Sequence, residues 1–399
     1  MKIAYLYHRN AANAEVQSGR PASIRRQLLA MGAEVEDIFP LSARPSGSSL
    51  SRKILSRLTG HYHRGDRDAS YLAALAGEAQ ARMAGRHFDV VFCPGSEVIS
   101  ALETAAPITF CADATFANLV NYYWDFSRIS AAYLRKGHAQ EASALKRASL
   151  AIYPSEWAAR SAIDYYGMDP QRVKVIPFGA NLGAENRREQ VEQWIQERPG
   201  DRVRLVFVGR DWKRKGGDLV VAAVQSIVAQ GVKVELDLVG CEVPGRLRGV
   251  PWIKTHGLLR ASVPAERARF GALYAQAHFV FVPSRAEAYG MTFAEANAFG
   301  VPAIATATGG IPSVVRNGTN GFLLPPEAGP GDYARTILRG LGDLKSYRQF
   351  ASRAFEEFET RLNWRVFCHR YVEAVASLGG SASGFNRARS NNNENRICL

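Results

Sequence analysis

Short apolar runs alternate with amphipathic stretches along the first half of the chain. The run from Lys2 to Tyr7 predicts a buried strand, and residues 23–40 predict a helix, a glycine turn and a second strand. Two further apolar runs, 88–96 and 107–113, predict strands that end in small or polar residues. Helices and strands continue to alternate over 139–181. This alternation predicts a parallel sheet covered by helices on both faces.

The same pattern restarts after a polar segment. Residues 183–201 are rich in charge and predict an interdomain linker with a short helix. Beyond it, apolar strands and helices alternate again, so we predict an α/β protein with two Rossmann-like, doubly wound parallel-sheet domains. The predicted bounds are 1–182 and 202–360 for the domains, 361–378 for a C-terminal helix packing back on the first domain, and 379–399 for a disordered tail.

The amino-acid composition restricts the possible classes of binding partner only in part. The net charge of +13 favours an anionic partner, and nucleic acid, a lipid surface and nucleotide phosphates would all qualify. No apolar run approaches the length of a membrane span, and the first ten residues are too polar for a signal peptide, so we expect a cytoplasmic protein. The five cysteines lack metal or redox spacing and are expected to be reduced.

A basic, glycine-containing loop follows the first strand of the second predicted domain. Ligands of doubly wound sheets bind beyond the carboxyl ends of strands, near helix N-termini. Arg210 and Lys215, beside Gly209, would project there toward an anionic diphosphate. Gly240 ends the next strand and is a candidate for the same site. A solvated basic loop is the alternative interpretation.

Two glutamates mark a second candidate stretch. Glu287 lies in a loop, has no evident capping role, and could accept hydrogen bonds from sugar hydroxyls. Glu295 lies one turn into a predicted helix, where it could reach a ribose diol or form a capping box with Thr292. Three backbone N–H groups precede this helix and can point at a phosphate, those of Tyr289, Gly290 and Met291.

Together these motifs resemble the family 4 retaining glycosyltransferases of the GT-B fold. That family has a strand ending in Val-Gly-Arg, a Lys-Gly five residues after the Arg, then Pro-Ser-x-x-Glu, an aromatic-Gly pair and a second Glu eight residues after the first. The likeness is strong from Tyr153 to Pro326, weak over the first 150 residues and absent from the tail. The matching positions are Arg210, Lys215, Gly216, Pro283, Ser284, Glu287, Tyr289, Gly290, Glu295, Gly309 and Gly310.

Three departures accompany the likeness. Ala288 replaces the glycine that usually precedes the aromatic residue, and Asn181 replaces an aspartate after the last strand of the first domain. Many members also carry a first-domain histidine that touches the donor sugar. Asp113 lies near that position here and is our candidate for the contact.

The resemblance implies a reaction and roles for these residues. The chain would move a sugar from a nucleotide diphosphate sugar (UDP-, GDP- or similar) to a hydroxyl of a glycan, lipid-linked or other acceptor. The configuration at the anomeric carbon would be retained. Arg210 and Lys215 would stabilise the leaving diphosphate, Glu287 would position the sugar, and Glu295 would contact the ribose. Two domains would face each other across a cleft, the second holding the donor. No cofactor beyond the donor and no metal are expected, and polysaccharide, lipid-linked oligosaccharide or glycolipid synthesis is the implied setting.

Other segments of the first domain carry open alternatives. Gly19 and Arg20 could approach the donor phosphate or the acceptor, or belong to a turn needed for packing. Asp66 and Asp68 have the Asp-x-Asp form of a metal site but lie away from any strand end, so we do not expect a metal there. His61 and His63 lack a third clustered ligand.

The segment Leu50–Arg64 combines apolar and basic residues. This pattern suits a helix docking on anionic lipid at the inner face of the cell membrane, or a solvated helix that covers the first domain. Rival functions for the whole chain are a GT-B epimerase or phosphorylase and a basic nucleic-acid-binding protein. The basic residues are scattered and form no known nucleic-acid-binding module, so we expect no nucleic acid partner.

Overall fold

The computed structural model describes residues 1–45 and 49–378. The chain forms two compact units. The first contains residues 1–153 and 158–176 together with the described residues from Cys368 onward, and the second contains residues 154–157 and 177–367. The predicted linker, 183–201, therefore lies inside the second unit. The predicted tail, 379–399, lies outside the described residues.

A six-stranded parallel sheet forms the centre of the first unit. Its strands are β1 (Lys2–Leu6), β2 (Glu34–Ile38), β3 (Val90–Cys93), β4 (Ile108–Cys111), β5 (Leu150–Tyr153) and β6 (Val173–Val175). They follow the order β2-β1-β3-β4-β5-β6, and every pairing is parallel. Every residue of β3, β4 and β5 is buried, as expected for strands covered on both faces.

Helices flank this sheet. They are α1 (Arg20–Ala30), α2 (Ser49–Thr59), α3 (Ala69–Met83), α4 (Phe116–Leu119), α5 (Ala131–Arg147) and α6 (Glu156–Arg160), with short 3-10 turns at Val16–Gly19, Val98–Ala101, Trp124–Phe126 and Pro170–Arg172 and a π turn at Ser161–Tyr165. Helix α5 begins eight residues before the position predicted from the sequence. Ser130 is its N-cap, since the Ser130 side chain accepts a hydrogen bond from the backbone N–H of Tyr133.

The second unit repeats the architecture with another six-stranded parallel sheet. Its strands are β7 (Val203–Val208), β8 (Val234–Val239), β9 (Ile253–Gly257), β10 (Phe279–Val282), β11 (Ala303–Thr306) and β12 (Gly321–Leu324), in the order β12-β11-β10-β7-β8-β9. The helices are α7 (Arg188–Glu197), α8 (Gly217–Val228), α9 (Pro264–Gln276), α10 (Met291–Asn297), α11 (Ile311–Val314), α12 (Pro330–Leu341) and α13 (Leu344–Thr360), with a 3-10 turn at Gly245–Leu247. The predicted α/β class with two doubly wound parallel sheets is confirmed.

The last described helix, α14 (Trp364–Ala376), contributes its residues from Cys368 to the first unit. Within that unit the Tyr371 hydroxyl lies 3.0 Å from the Thr109 hydroxyl, and the Tyr371 ring lies 5.0 Å from the Phe92 ring. No helix within the described parts of the chain is long and apolar enough to cross a membrane.

Strand order reverses at one point in each sheet. In the second sheet the chain runs outward from β7 through β8 to β9 and then returns to the other side of β7 with β10. In the first sheet, the corresponding point lies between β1 and β3. Loops that leave the two central strands diverge there, and the gap between them is where doubly wound sheets bind ligands.

Candidate functional site

The loop that follows β7 approaches the end of β10 very closely. Gly216 is the reason, because its φ of +77° lies in the left-handed region and a Cβ there would lie 2.3 Å from the Pro283 carbonyl oxygen. Any larger residue would push the two loops apart. The switch point of the second sheet is therefore bounded by the β7 loop on one side and the β10 loop on the other.

Three charged side chains meet at this point. The Lys215 ammonium forms an ion pair with the Glu287 carboxylate, and their side chains are only 10% and 13% exposed. Arg214 Nη1 lies 3.3 Å from Glu287 Oε2 and donates a hydrogen bond of 2.9 Å to the Ala286 carbonyl oxygen. Burial alone would raise the pKa of Glu287, but Lys215 and Arg214 hold it below its ordinary value. Glu287 is therefore ionised at neutral pH.

Arg214 is a site residue that sequence reasoning missed. Its position in a run of basic residues was visible, but nothing in the sequence distinguishes it from its neighbour Lys213. The structure separates them, because Arg214 contacts Glu287 whereas Lys213 is exposed. Lys213 consequently offers a matched control for this loop.

Arg210 belongs to the same loop as Lys215 and lies two residues after the end of β7. Its side chain is exposed, and within the described residues it makes no hydrogen bond or ion pair. Gly209 and Gly240 bring the ends of β7 and β8 together, since a Cβ on Gly240 would lie 2.9 Å from the Gly209 carbonyl oxygen. The exposed guanidinium of Arg210 is thus available to an anion at the edge of the sheet.

Helix α10 begins differently from the sequence prediction. Gly290, with a φ of +98°, is its N-cap and makes no side-chain cap. Thr292 therefore lies inside the helix, and the predicted capping box between Thr292 and Glu295 is wrong. The Tyr289 ring is buried and its hydroxyl donates to the Phe178 carbonyl oxygen at 2.9 Å, so only the Tyr289 backbone remains for a ligand. Met291, the first helical residue, is half-buried.

Glu295 has a different partner in place of the cap. Burial raises its pKa to about 7, opposed by a hydrogen bond from the Asn181 backbone N–H and by the charge of Lys215. The Asn181 side-chain oxygen accepts a hydrogen bond of 2.8 Å from Trp364 Nε1. Burial therefore favours the protonated form of Glu295 more strongly than in an exposed glutamate.

Ser284 adds a polar group between β10 and Glu287. Its side chain is fully buried, and its hydroxyl has no hydrogen-bond partner among the described residues. An unpaired buried hydroxyl costs free energy, so such a group is a candidate for contact with a ligand. The sequence marked Ser284 only as part of the Pro-Ser-x-x-Glu pattern.

The switch point of the first sheet holds the predicted residues of that unit. Gly19 is the left-handed N-cap of α1, and Arg20, the first residue of that helix, is 5% exposed. Arg20 Nη2 donates to the carbonyl oxygen of Pro94, the residue directly after β3, at 3.2 Å. Its Nη1 lies 3.9 Å from an oxygen of Asp113, whose side chain is 58% exposed. Arg20 and Asp113 therefore form one cluster within the first unit.

Sequence reasoning missed Glu97 in this same cluster. Glu97 follows β3, and a Cβ on Gly95 would lie 2.6 Å from its carboxylate. Burial tends to raise the pKa of Glu97, but nearby His8 and Arg67 hold it below its ordinary value. A carboxylate that follows a strand end could have marked Glu97 as a candidate in the sequence. The charged neighbours of Glu97 could not, because they come from distant parts of the chain.

The two aspartates of the Asp-x-Asp motif are engaged in structural contacts. Asp66 accepts a hydrogen bond of 3.1 Å from the Tyr133 hydroxyl. Asp68 is the N-cap of α3 and lies 2.7 Å from the Lys136 ammonium. Among residues 1–45 and 49–378, no group of three or more His, Cys, Asp or Glu side chains could hold a metal ion. The metal-independent reaction remains a prediction.

A cavity of about 670 Å³ lies elsewhere in the second unit, beside α7 and α9. Trp194 and Phe299 line it, whereas Arg210, Lys215 and Glu287 do not. This cavity therefore lies apart from the charged residues of the switch point. The convergence of charged side chains at the switch point is the stronger argument, because it supplies the chemistry that a ligand anion requires.

Two family models match the chain. The model for Glycosyltransferase Family 4 matches residues 22–183, and the model for Glycosyl transferases group 1 matches residues 188–357. Together they cover most of the chain and correspond to its two halves.

Curated relatives agree with the family models. A D-inositol 3-phosphate glycosyltransferase from Thermomonospora curvata is 29% identical over 253 residues, which are 57% of this chain and 57% of that protein. Another from Geodermatophilus obscurus is 32% identical over 198 residues, 45% of this chain and 42% of that protein. The chain thus matches about half the length of these curated relatives.

Solved structures extend the likeness to nearly the full chain. Sucrose-phosphate synthase from Thermosynechococcus elongatus superposes with a TM-score of 0.68 at 18% identity, covering 95% of this chain and 99% of that one. The Anabaena protein HepE in complex with UDP and glucose has a TM-score of 0.60 at 20% identity, covering 94% and 100%. At these identities the likeness shows the fold, and the predicted GT-B class is confirmed.

Proposed function

We propose that this chain, which belongs to the family 4 glycosyltransferases with the GT-B fold, transfers a sugar from a nucleotide diphosphate sugar to an acceptor hydroxyl. One observation carries the proposal. Lys215 and Arg214 converge with the ionised Glu287 at the switch point of the second sheet, and the exposed Arg210 belongs to the same loop after β7. A diphosphate requires such a set of cations, and a sugar requires a fixed hydrogen-bond acceptor beside them.

The cations act on the leaving group. As the bond between the anomeric carbon and the phosphate oxygen breaks, negative charge accumulates on the diphosphate. Lys215 and the exposed Arg210 would stabilise that charge more strongly in the transition state than in the bound donor, and this difference accelerates the reaction. The cations therefore supply charge neutralisation that a divalent metal provides in other enzymes.

Glu287 has two successive partners in this proposal. In the ligand-free structure it neutralises Lys215 and Arg214. An arriving diphosphate competes for those two cations, which frees carboxylate lone pairs to accept hydrogen bonds from the donor sugar. Glu295, within α10, would contact the ribose. The backbone N–H groups of Gly290 and Met291 would contact the phosphates.

The anomeric configuration is retained if the acceptor attacks the anomeric carbon from the same side that the diphosphate leaves. The acceptor oxygen forms a bond to the anomeric carbon, and its proton passes to the leaving phosphate oxygen. Such a step needs no side chain as a general base, so none is assigned. In the first unit, the Arg20–Asp113 cluster is our candidate for contacts to the donor or the acceptor.

The setting we propose is synthesis of a polysaccharide, lipid-linked oligosaccharide or glycolipid, in the cytoplasm at an anionic membrane surface. Helix α2 supports the membrane contact. Ile54, Leu55 and Leu58 are 50%, 43% and 79% exposed, so these apolar side chains are accessible to a lipid surface. Lys53 and Arg57 are exposed on the same short helix, which suits anionic lipid.

Thermal unfolding with a panel of nucleotides tests the donor proposal. A bound nucleotide stabilises only the folded protein, so UDP, GDP or another diphosphate should raise the melting temperature in a concentration-dependent way. Lys215→Ala should abolish this shift and Lys213→Ala should retain it. Mass spectrometry with the matching nucleotide sugar and an acceptor panel then distinguishes transfer from epimerisation. A protein that no nucleoside diphosphate stabilises would contradict the proposal.

A further inference from the structure

Large exposed side chains lie at the end of helix α2 and in neighbouring loops of the first unit. Trp124 is 65% exposed, the most exposed of the six tryptophans, and Tyr62 is 39% exposed. Leu58, near the end of α2, is 79% exposed. Large exposed side chains grouped on one surface mark an interaction site more often than isolated ones do.

Backbone hydrogen bonds hold the two segments of this surface together. The Tyr62 N–H donates to the Arg128 carbonyl oxygen at 2.6 Å, and the Ser130 N–H donates to the Tyr62 carbonyl oxygen at 3.2 Å. The His63 N–H donates to the Ser56 hydroxyl at 3.1 Å, which fixes the same segment to α2. The end of α2 and the loop 121–128 therefore form one continuous surface, which we call the aromatic patch.

Basic side chains surround the aromatic patch. The Arg128 guanidinium lies 5.9 Å from the Trp124 ring, and the Arg64 guanidinium lies 5.3 Å from the Phe126 ring. Lys53 and Arg57 of α2 add exposed positive charge. Asp125 is the exposed acidic residue within the loop 121–128. Positive charge therefore exceeds negative charge around the exposed rings.

We propose that the aromatic patch inserts Trp124 into the interface of an anionic bilayer. Tryptophan and tyrosine prefer the headgroup region, where the ring is partly dehydrated and the polar edge stays wet. Basic residues beside them are attracted by anionic lipid. A glycan would also stack on exposed rings, but a neutral sugar gives no reason for the surrounding cations. The charge thus favours lipid as the occupant.

This inference rests on the membrane contact in the proposed function. To the electrostatic attraction of α2 it adds a second component, the insertion of an aromatic ring. Attraction of α2 to anionic lipid weakens with salt, whereas insertion of an aromatic ring depends on apolar burial and persists. Binding to anionic vesicles should therefore fall with salt to a residual level that depends on Trp124. Neither component involves the donor residues of the second unit.

Vesicles of phosphatidylglycerol and phosphatidylcholine, compared with phosphatidylcholine alone, test the inference. Wild-type protein should bind the anionic vesicles with a blue shift of tryptophan emission. Trp124→Ser should bind them about tenfold more weakly, the loss expected from one partly buried aromatic ring. Trp124→Phe should keep most of the affinity but lose the emission shift. Trp252 belongs to the second unit, so Trp252→Phe is the matched control. It should change neither the affinity for anionic vesicles nor the emission shift.

Two results would overturn the inference. In one, Trp124→Ser and Leu58→Ser both fold, as judged by circular dichroism, and bind vesicles like the wild type. In the other, maltoheptaose shifts the tryptophan emission and vesicles do not. The second result would indicate a glycan platform. Nucleotide-induced stabilisation of the same variants is measured in parallel. Its absence in the wild type would contradict the donor proposal alone, while vesicle binding would still decide the role of Trp124.

Discussion

Lys215 and Glu287 form an ion pair across the switch point of the second sheet, although they lie 72 residues apart in the chain. The pair connects the loop after β7 to the loop after β10. Both side chains are mostly removed from water, so the charges are weakly screened. A diphosphate bound here would compete with Glu287 for Lys215, which makes the pair sensitive to the presence of the donor.

Replacing Glu287 with Gln should separate binding from turnover. The amide cannot neutralise Lys215 and Arg214, so UDP or the matching diphosphate should bind at least as tightly as in the wild type. Turnover should fall by about 100-fold or more, because the donor sugar loses a charged hydrogen-bond acceptor in the transition state. Isothermal titration and initial rates measure the two quantities. Full activity of the Gln variant would remove Glu287 from the donor site.

Replacing either Arg210 or Lys215 with Ala should lower kcat by about 100-fold or more, since each loses a cation facing the leaving diphosphate. Arg210 makes no hydrogen bond or ion pair within the described residues, so its variant should unfold at nearly the same temperature as the wild type. Lys213→Ala, in the same loop, should be unaffected in rate. An Arg210→Ala enzyme with normal kcat would exclude Arg210 from catalysis.

Chelation should leave the transfer rate nearly unchanged, because the cations of the second unit are expected to neutralise the diphosphate. Initial rates with and without EDTA measure this directly. If EDTA abolished activity and Mg²⁺ restored it, the prediction would be wrong. The double variant Asp66→Asn, Asp68→Asn would then ask whether the Asp-x-Asp motif holds the ion.

Glu295 should make the free energy of unfolding depend on pH. Its pKa is raised from 4.5 to about 7 by burial, so the folded state holds a proton that the unfolded state releases. Relative to Glu295→Gln, the wild type should be most stable below about pH 4.5 and lose stability as pH rises to about 7. Urea unfolding of both proteins across this range measures the difference. A constant difference would show that Glu295 has an ordinary pKa.

The basic face of α2 should control the salt dependence of membrane binding. Arg52 lies 3.7 Å from Asp68, so Lys53 and Arg57 are the charges more available to lipid. Changing both to Gln should weaken binding to anionic vesicles and reduce its dependence on salt, because surface attraction is screened. Donor hydrolysis should stay the same. Equal sedimentation of wild type and variant with anionic vesicles would contradict the docking proposal.

The sequence by itself determined the two doubly wound sheets and the positions of the main motifs. Apolar runs such as Val203–Val208 and Phe279–Val282 are short, continuous and bounded by glycine or polar residues, which is a local signal of buried parallel strands. Arg210, Lys215, Glu287 and Glu295 follow strand ends, so their chemistry was visible from local pattern and family resemblance.

Only the tertiary structure decided which of these side chains meet. The sequence could not distinguish Arg214 from Lys213, nor show that Glu287 neutralises Lys215, because those contacts depend on the strand order that places β10 beside β7. The supposed capping box failed for a related reason. Helix α10 begins after Gly290, which places Thr292 inside the helix, and Glu295 instead accepts a hydrogen bond from the distant Asn181 backbone. Local patterns specify strands and helices, whereas charge pairing and burial depend on residues that the fold brings together from distant segments.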